Sequence, residues 1–145
     1  MRTIKIGDRE YILEYTFEAA EHKNTVQSFF NILSGAHVLR NSAGAVDEGS
    51  AAAGMINGVS EMVADVPQVV RTAFYSGLLE HNPVSEEDAK ALMRQYMKEN
   101  KYSYSKLFED IKTYMEEDGF FDLSGLNDMI ERMNSSLEEA VADQK

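Results

Sequence analysis

Three histidines, His22, His37 and His81, are the only imidazoles in the chain, and each stands alone in sequence. None belongs to an H-E-x-x-H or H-x-E pattern, in which metal ligands and a base share one helix face. Each therefore reads as an exposed or capping histidine. Ser34-Gly35 and Ser42 lack the G-x-S-x-G turn that presents a nucleophile. The glycines Gly44, Gly49, Gly54 and Gly58 are not followed by G-K-[ST], and no strand leads into them. Acidic residues nowhere reach the D-x-[DN]-x-[DN]-G spacing of a calcium loop. The absence of cysteine removes disulfides, thiolate nucleophiles and cysteine-based metal centres. Carboxylate pairs acting across helices depend on tertiary contacts, and the sequence selects no one pair. Without a nucleophile, base and orienter in view, the residues predict a non-enzymatic protein with no cofactor and no metal site.

Two Glu-Glu-Asp runs stand out. Glu86-Glu87-Asp88 opens a predicted helix, where the dipole stabilises negative charge. Glu116-Glu117-Asp118 closes one, where the dipole opposes it, and Gly119-Phe120-Phe121 follows at once. One reading is an interhelical turn whose Phe pair plugs the core beneath a solvated acidic corner. The other is an acidic, aromatic surface that receives a basic or apolar segment of another protein. The second makes Glu116, Glu117, Asp118, Phe120 and Phe121 the candidate partner-binding residues. Met93, Met97, Met115, Met129 and Met133 fall on helical stripes. They suit either a core or a groove that adapts to varied apolar partners.

The elements that position these residues begin with a β-hairpin over 3–15. Gly7-Asp8, with glycine first, suits a tight primed turn. That register sets Ile4 opposite Tyr11 and Lys5 opposite Glu10, with Ile4, Ile6, Tyr11, Leu13 and Tyr15 on one face. A two-stranded ribbon is marginal alone, so it must lie on helices or add to another sheet edge. Thr16 is the expected N-cap of a first helix with Phe17, Ala20, Val26, Phe29, Phe30 and Leu33 inward, ending at Gly35. Residues 41–54 read as a flexible segment running into a short helix near 55–64, with a small-residue helix over 50–65 as the alternative. Pro67 opens the next helix, and His81-Asn82-Pro83 ends it. Ser85 caps the helix that carries Leu92, Met93, Tyr96 and Met97. Tyr104 to Met115 is strongly amphipathic, with Gly119 as its stop. A final helix, capped by Asp122 or Ser124, carries Leu126, Met129, Ile130, Met133, Leu137 and Val141.

The expectation is a mainly α (α+β) fold, with an N-terminal hairpin and five or six helices over 16–143. All 145 residues fit one compact domain, with self-association through the hairpin edge. The net charge is −11, from 14 basic and 25 acidic residues. That balance argues against a nucleic-acid partner and against an anionic membrane. No apolar run approaches the length of a membrane span, and the first residues lack a signal-peptide core, so a cytoplasmic location is expected. Residues 107–145 hold 3 basic and 11 acidic side chains, net −8. Most of the acidity therefore lies in the last quarter.

Four stretches carry a resemblance: Ile4 to Ala20, Phe29 to Gly35, Ala73 to Pro83, and Met115 to Phe121. Their order resembles the tail assembly chaperones of long-tailed phages and of prophages of Gram-positive bacteria, a class similar to the lambda G-type proteins. The resemblance spans most of the chain except 41–60. It implies a non-enzymatic protein that binds the tape-measure protein, helps to recruit the tail-tube protein and is missing from the finished particle. It also implies that a frameshifted longer form can accompany the short one. A small helical structural adaptor of a virion or another complex is the alternative.

Overall fold

The computed structural model describes residues 1–32 and 66–132. The expectations for the segment at 41–54, the helix near 55–64, Leu33, Gly35 and the last three apolar positions from Met133 onward lie outside the described residues. The chain opens with β1 (Arg2–Ile6) and β2 (Arg9–Leu13), paired antiparallel in the expected register, Ile4 opposite Tyr11 and Lys5 opposite Glu10. Gly7 has a φ of +62° and Asp8 has none in the positive range, the type II′ pattern that matches the twist of the strands. Helices follow at α1 (Phe17–Glu21), α2 (23–32), α3 (Val66–Leu78), α4 (Glu86–Asn100), α5 (Tyr104–Glu117), α6 (Phe120–Leu123) and α7 (126–132). The protein is thus mainly α with an N-terminal hairpin.

The hairpin does not stand alone. Its apolar face, Ile4, Ile6, Leu13 and Tyr15, is buried in the one core cluster, and Tyr11 packs against that cluster. α3 lies at the centre and touches α1, α4, α5 and β2. Val66, Val69, Val70, Ala73, Phe74, Gly77 and Leu78 turn inward from it, a wider buried surface than one helix stripe provides. Phe29 of α2 stacks on Phe108 of α5, with ring centroids 6.1 Å apart, and meets Phe120 and Phe121 edge to face.

The expected first helix is divided. His22 adopts an extended conformation (ψ 101°) between α1 and α2. Its Nδ1 lies 2.8 Å from the Thr25 hydroxyl, and its ring leans edge-on against Tyr75. The break shifts the buried face of α1 to Ala19 and leaves Phe17, expected to point inward, 66% exposed. The other helix ends follow the sequence closely. Ser85 accepts the Asp88 N–H at 3.1 Å, and Ser103 accepts the Lys106 N–H at 3.1 Å. Gly119 sits just past α5 at φ +75°, a left-handed position that glycine adopts without strain.

Candidate functional site

Asp118 is the last residue of the expected acidic surface before the glycine, and its side chain is only 7% exposed. It turns inward at the C-cap of α5 and accepts the Tyr15 N–H on Oδ2 at 3.0 Å. Its Oδ1 contacts the Met1 ammonium. The negative charge that the helix dipole disfavours thus serves a backbone donor 103 residues away in sequence. A charge-assisted bond of this kind is among the stronger ones available to a backbone N–H.

Phe120 and Phe121 are fully buried. The Phe120 ring meets Tyr15 edge to face at 6.4 Å and Phe121 at 5.7 Å. Neither ring is presented to a partner, because Gly119 reverses the chain and drops α6 onto the core against α1 and α5. Glu116 and Glu117 stay exposed. The residues expected to form a single docking surface therefore divide into a buried set, Asp118, Phe120 and Phe121, and an exterior pair.

Tyr15 is the centre of this region. An added Cβ on Gly77 would lie 2.6 to 2.9 Å from the Tyr15 ring and hydroxyl. Only glycine lets β2 approach α3 this closely, and the Gly77 carbonyl accepts the Glu14 N–H at 2.9 Å. The Tyr15 hydroxyl is buried without a hydrogen-bond partner among the described residues, and burial pushes its pKa far above the ordinary value of 10.0.

The residues just after α3 complete the attachment. Glu80 Oε1 accepts the Glu18 N–H at 3.0 Å and lies 3.1 Å from the Thr16 hydroxyl. It supplies the N-terminal cap of α1 that Thr16 was expected to give, since the Thr16 hydroxyl donates to Glu14 Oε2 at 2.6 Å instead. His81 Nε2 lies 3.1 Å from Glu14 Oε1, and Asn82 Oδ1 accepts the Ile12 N–H at 2.8 Å. The Thr16 hydroxyl first, and then His81, hold the Glu14 carboxyl below its ordinary pKa. At the far end of the hairpin the Glu99 carboxylate accepts the Gly7 N–H at 2.7 Å. The outer edge of β2 is thereby closed at Ile12 and Glu14. The edge expected to self-associate is thus partly taken up within the chain.

Sequence reasoning missed Gly77, Glu80, Asn82 and Glu99. The one signal for them is the polar Glu80-His81-Asn82 run at a helix end. Such side chains commonly bond to nearby backbone, and here the backbone is distant in sequence.

Two hollows open on α4. One, of about 410 Å³, is polar and lies between the α1–α2 junction, α3 and α4, with His22, Arg71, Tyr75, Glu87 and Lys90 on its walls. The other, of about 520 Å³, is lined by Arg94, Met97, Lys98, Lys101, Tyr102 and Tyr104. Among the described residues no group of three or more His, Asp or Glu side chains is placed to hold a metal ion. No described helix is long and apolar enough to cross a membrane. No family model, no curated protein and no solved structure matches the chain.

Proposed function

We propose that this chain is a non-enzymatic tail assembly chaperone of a long-tailed phage or prophage. It binds the tape-measure protein in the bacterial cytoplasm, helps to recruit tail-tube subunits and leaves before the particle is finished. One observation carries the reading. The stretches that bear the resemblance are far apart in sequence, yet their resembling residues interlock. Tyr15 of the first packs on Gly77 of the third and meets Phe120 of the fourth. Glu14 is bound by Gly77 and His81, and the Tyr15 N–H by Asp118. Three of the four stretches that bear the resemblance thus meet in one interlocked unit.

The surface this unit offers is acidic and partly apolar. Glu116 and Glu117 close α5, Phe17 opens α1 and Leu123 closes α6; all four are exposed, and α6 packs on both α1 and α5. Such a surface suits a long helical chain whose apolar face needs cover before the tail tube encloses it.

Co-expression of the full chain with the tape-measure protein encoded beside it tests the proposal. The expected result is a soluble complex that co-purifies. A tape-measure protein that stays insoluble and unbound, with and without this chain, defeats it. Mass spectrometry of purified particles is expected to find the chain missing.

A further inference from the structure

Among the described residues, the large apolar side chains left exposed are Met1, Phe17 and Leu123, and all three stand at one end of α5. The Met1 ammonium contacts Asp118, the C-cap of α5. Phe17 comes two residues after Tyr15, whose N–H reaches the same carboxylate. Leu123 closes α6, which packs on α1 and α5. Glu18, Glu117 and Asp122, next in sequence to Phe17, Asp118 and Leu123, are exposed.

The opposite end of α5 has the opposite character. Tyr104 opens the helix, and with Met97 and Tyr102 it lines the hollow of about 520 Å³ whose remaining wall is Arg94, Lys98 and Lys101. Lys90, Arg94, Lys98 and Lys101 follow one another at spacings that put them on one face of α4. None of the four has an ion-pair partner among the described residues, in a chain with 25 acidic side chains. Lys101 takes a left-handed backbone conformation, φ 55°, at a helix end where glycine is usual, and so keeps a cation at the rim. The 14 residues of α5 separate the two ends by about 20 Å.

We propose that the acidic, apolar end of one copy docks on the cationic, aromatic end of a second copy, head to tail. Phe17 seats in the hollow among Met97, Tyr102 and Tyr104. Glu18, Glu117 and Asp122 face Arg94, Lys98 and Lys101. Apolar burial supplies the attraction, and the opposed charges set the register against wrong pairings. The two surfaces are different and lie at opposite ends, so the contact is heterologous. Each added copy leaves one surface of each kind open until the assembly closes or is capped. The inference does not depend on the tail-assembly reading, because it concerns this chain alone.

Sedimentation velocity on the purified chain, from about 10 μM to about 1 mM, tests it across the range of weak to moderate association. The wild type is expected to grow beyond a monomer as concentration rises. Phe17→Lys removes the inserted ring, and Arg94→Glu/Lys98→Glu reverses the receiving surface. These positions are exposed, so both variants are expected to melt like the wild type. Each variant alone stays monomeric. An equimolar mixture forms a one-to-one heterodimer and nothing larger, since one intact end of each kind remains. A wild type that stays monomeric throughout overturns the proposal, as does either variant associating like the wild type. A mixture that remains monomeric overturns it too.

Discussion

Around Tyr15 the backbone N–H groups of Ile12, Glu14, Tyr15 and Glu18 are all bonded within the chain, whereas the four cations of α4 have no carboxylate partner among the described residues. The first region joins β2, α1, α3 and α5 through groups up to 103 residues apart. It works only with a glycine at 77 and an aromatic ring at 120. The second lies on the exterior of a single helix and would tolerate many side chains without loss of the fold. Residues that stand out in sequence belong mostly to the first region. Asp118, Phe120 and Phe121 invite a functional reading because they break local rules, and a long-range contact explains the break. The α4 cations break no local rule, and Lys98 and Lys101 stand at the helix end where the dipole favours a base. Arg94, Lys98 and Lys101 matter through their place on the rim of a hollow shared with Met97, Tyr102 and Tyr104.

Substitutions in the two regions are expected to separate cleanly. Phe120→Ala is expected to have the largest effect, a loss of about 3 to 5 kcal/mol in urea-induced unfolding, from burial and the cavity left behind. A loss below about 1 kcal/mol would show that the ring is not the core element described. Gly77→Ala comes next, at about 1 to 3 kcal/mol, because the new methyl group meets the Tyr15 ring in a filled site.

Alkaline pH probes the same interior. Burial raises the pKa values of Tyr15, Tyr96 and Tyr114 above the ordinary 10.0. For an acid whose pKa is raised by folding, the unfolded chain loses its proton first as pH climbs. The contribution is complete below pH 10.0 and is lost as pH rises above it. Thermal midpoints are therefore expected to be level with respect to these groups below that value and to drop beyond it. Absence of a drop through pH 11 or so would place the tyrosines in water. The smallest effect is reserved for Arg94→Glu/Lys98→Glu, which should leave stability within about 0.5 kcal/mol, as for ordinary surface changes. A larger loss would make the stripe part of the fold and erase the contrast.

Much of the architecture was legible locally. The hairpin register follows from the alternation of Ile4, Ile6, Tyr11 and Leu13 about a glycine-first turn. Ser85 and Gly119 mark their helix ends by side-chain chemistry and by tolerance of positive φ. The division at His22 was not legible, because Thr25 and Tyr75 hold that histidine from another turn and another helix. The same holds for Thr16, whose capping role passes to Glu80. The candidate site was legible only in part. The sequence marked the 116–121 corner as unusual, but which side chains face water depends on Gly119 turning α6 inward. Phe17 faces outward, against the helical stripe, for the same kind of reason: the break at His22 changes which residues α1 buries.

The central claim is that the segments around Tyr15, Gly77 and Asp118–Phe120 form one interlocked unit through Tyr15. A double-mutant cycle between Tyr15→Leu and Gly77→Ala tests it most directly, with unfolding free energies measured in urea. The close approach of the Tyr15 ring is what makes a methyl group at position 77 costly. The account therefore predicts that Gly77→Ala costs much less in the Tyr15→Leu background, with a coupling of at least about 1 kcal/mol. Costs that add to within about 0.5 kcal/mol would mean that the ring and the glycine do not meet, and would contradict it.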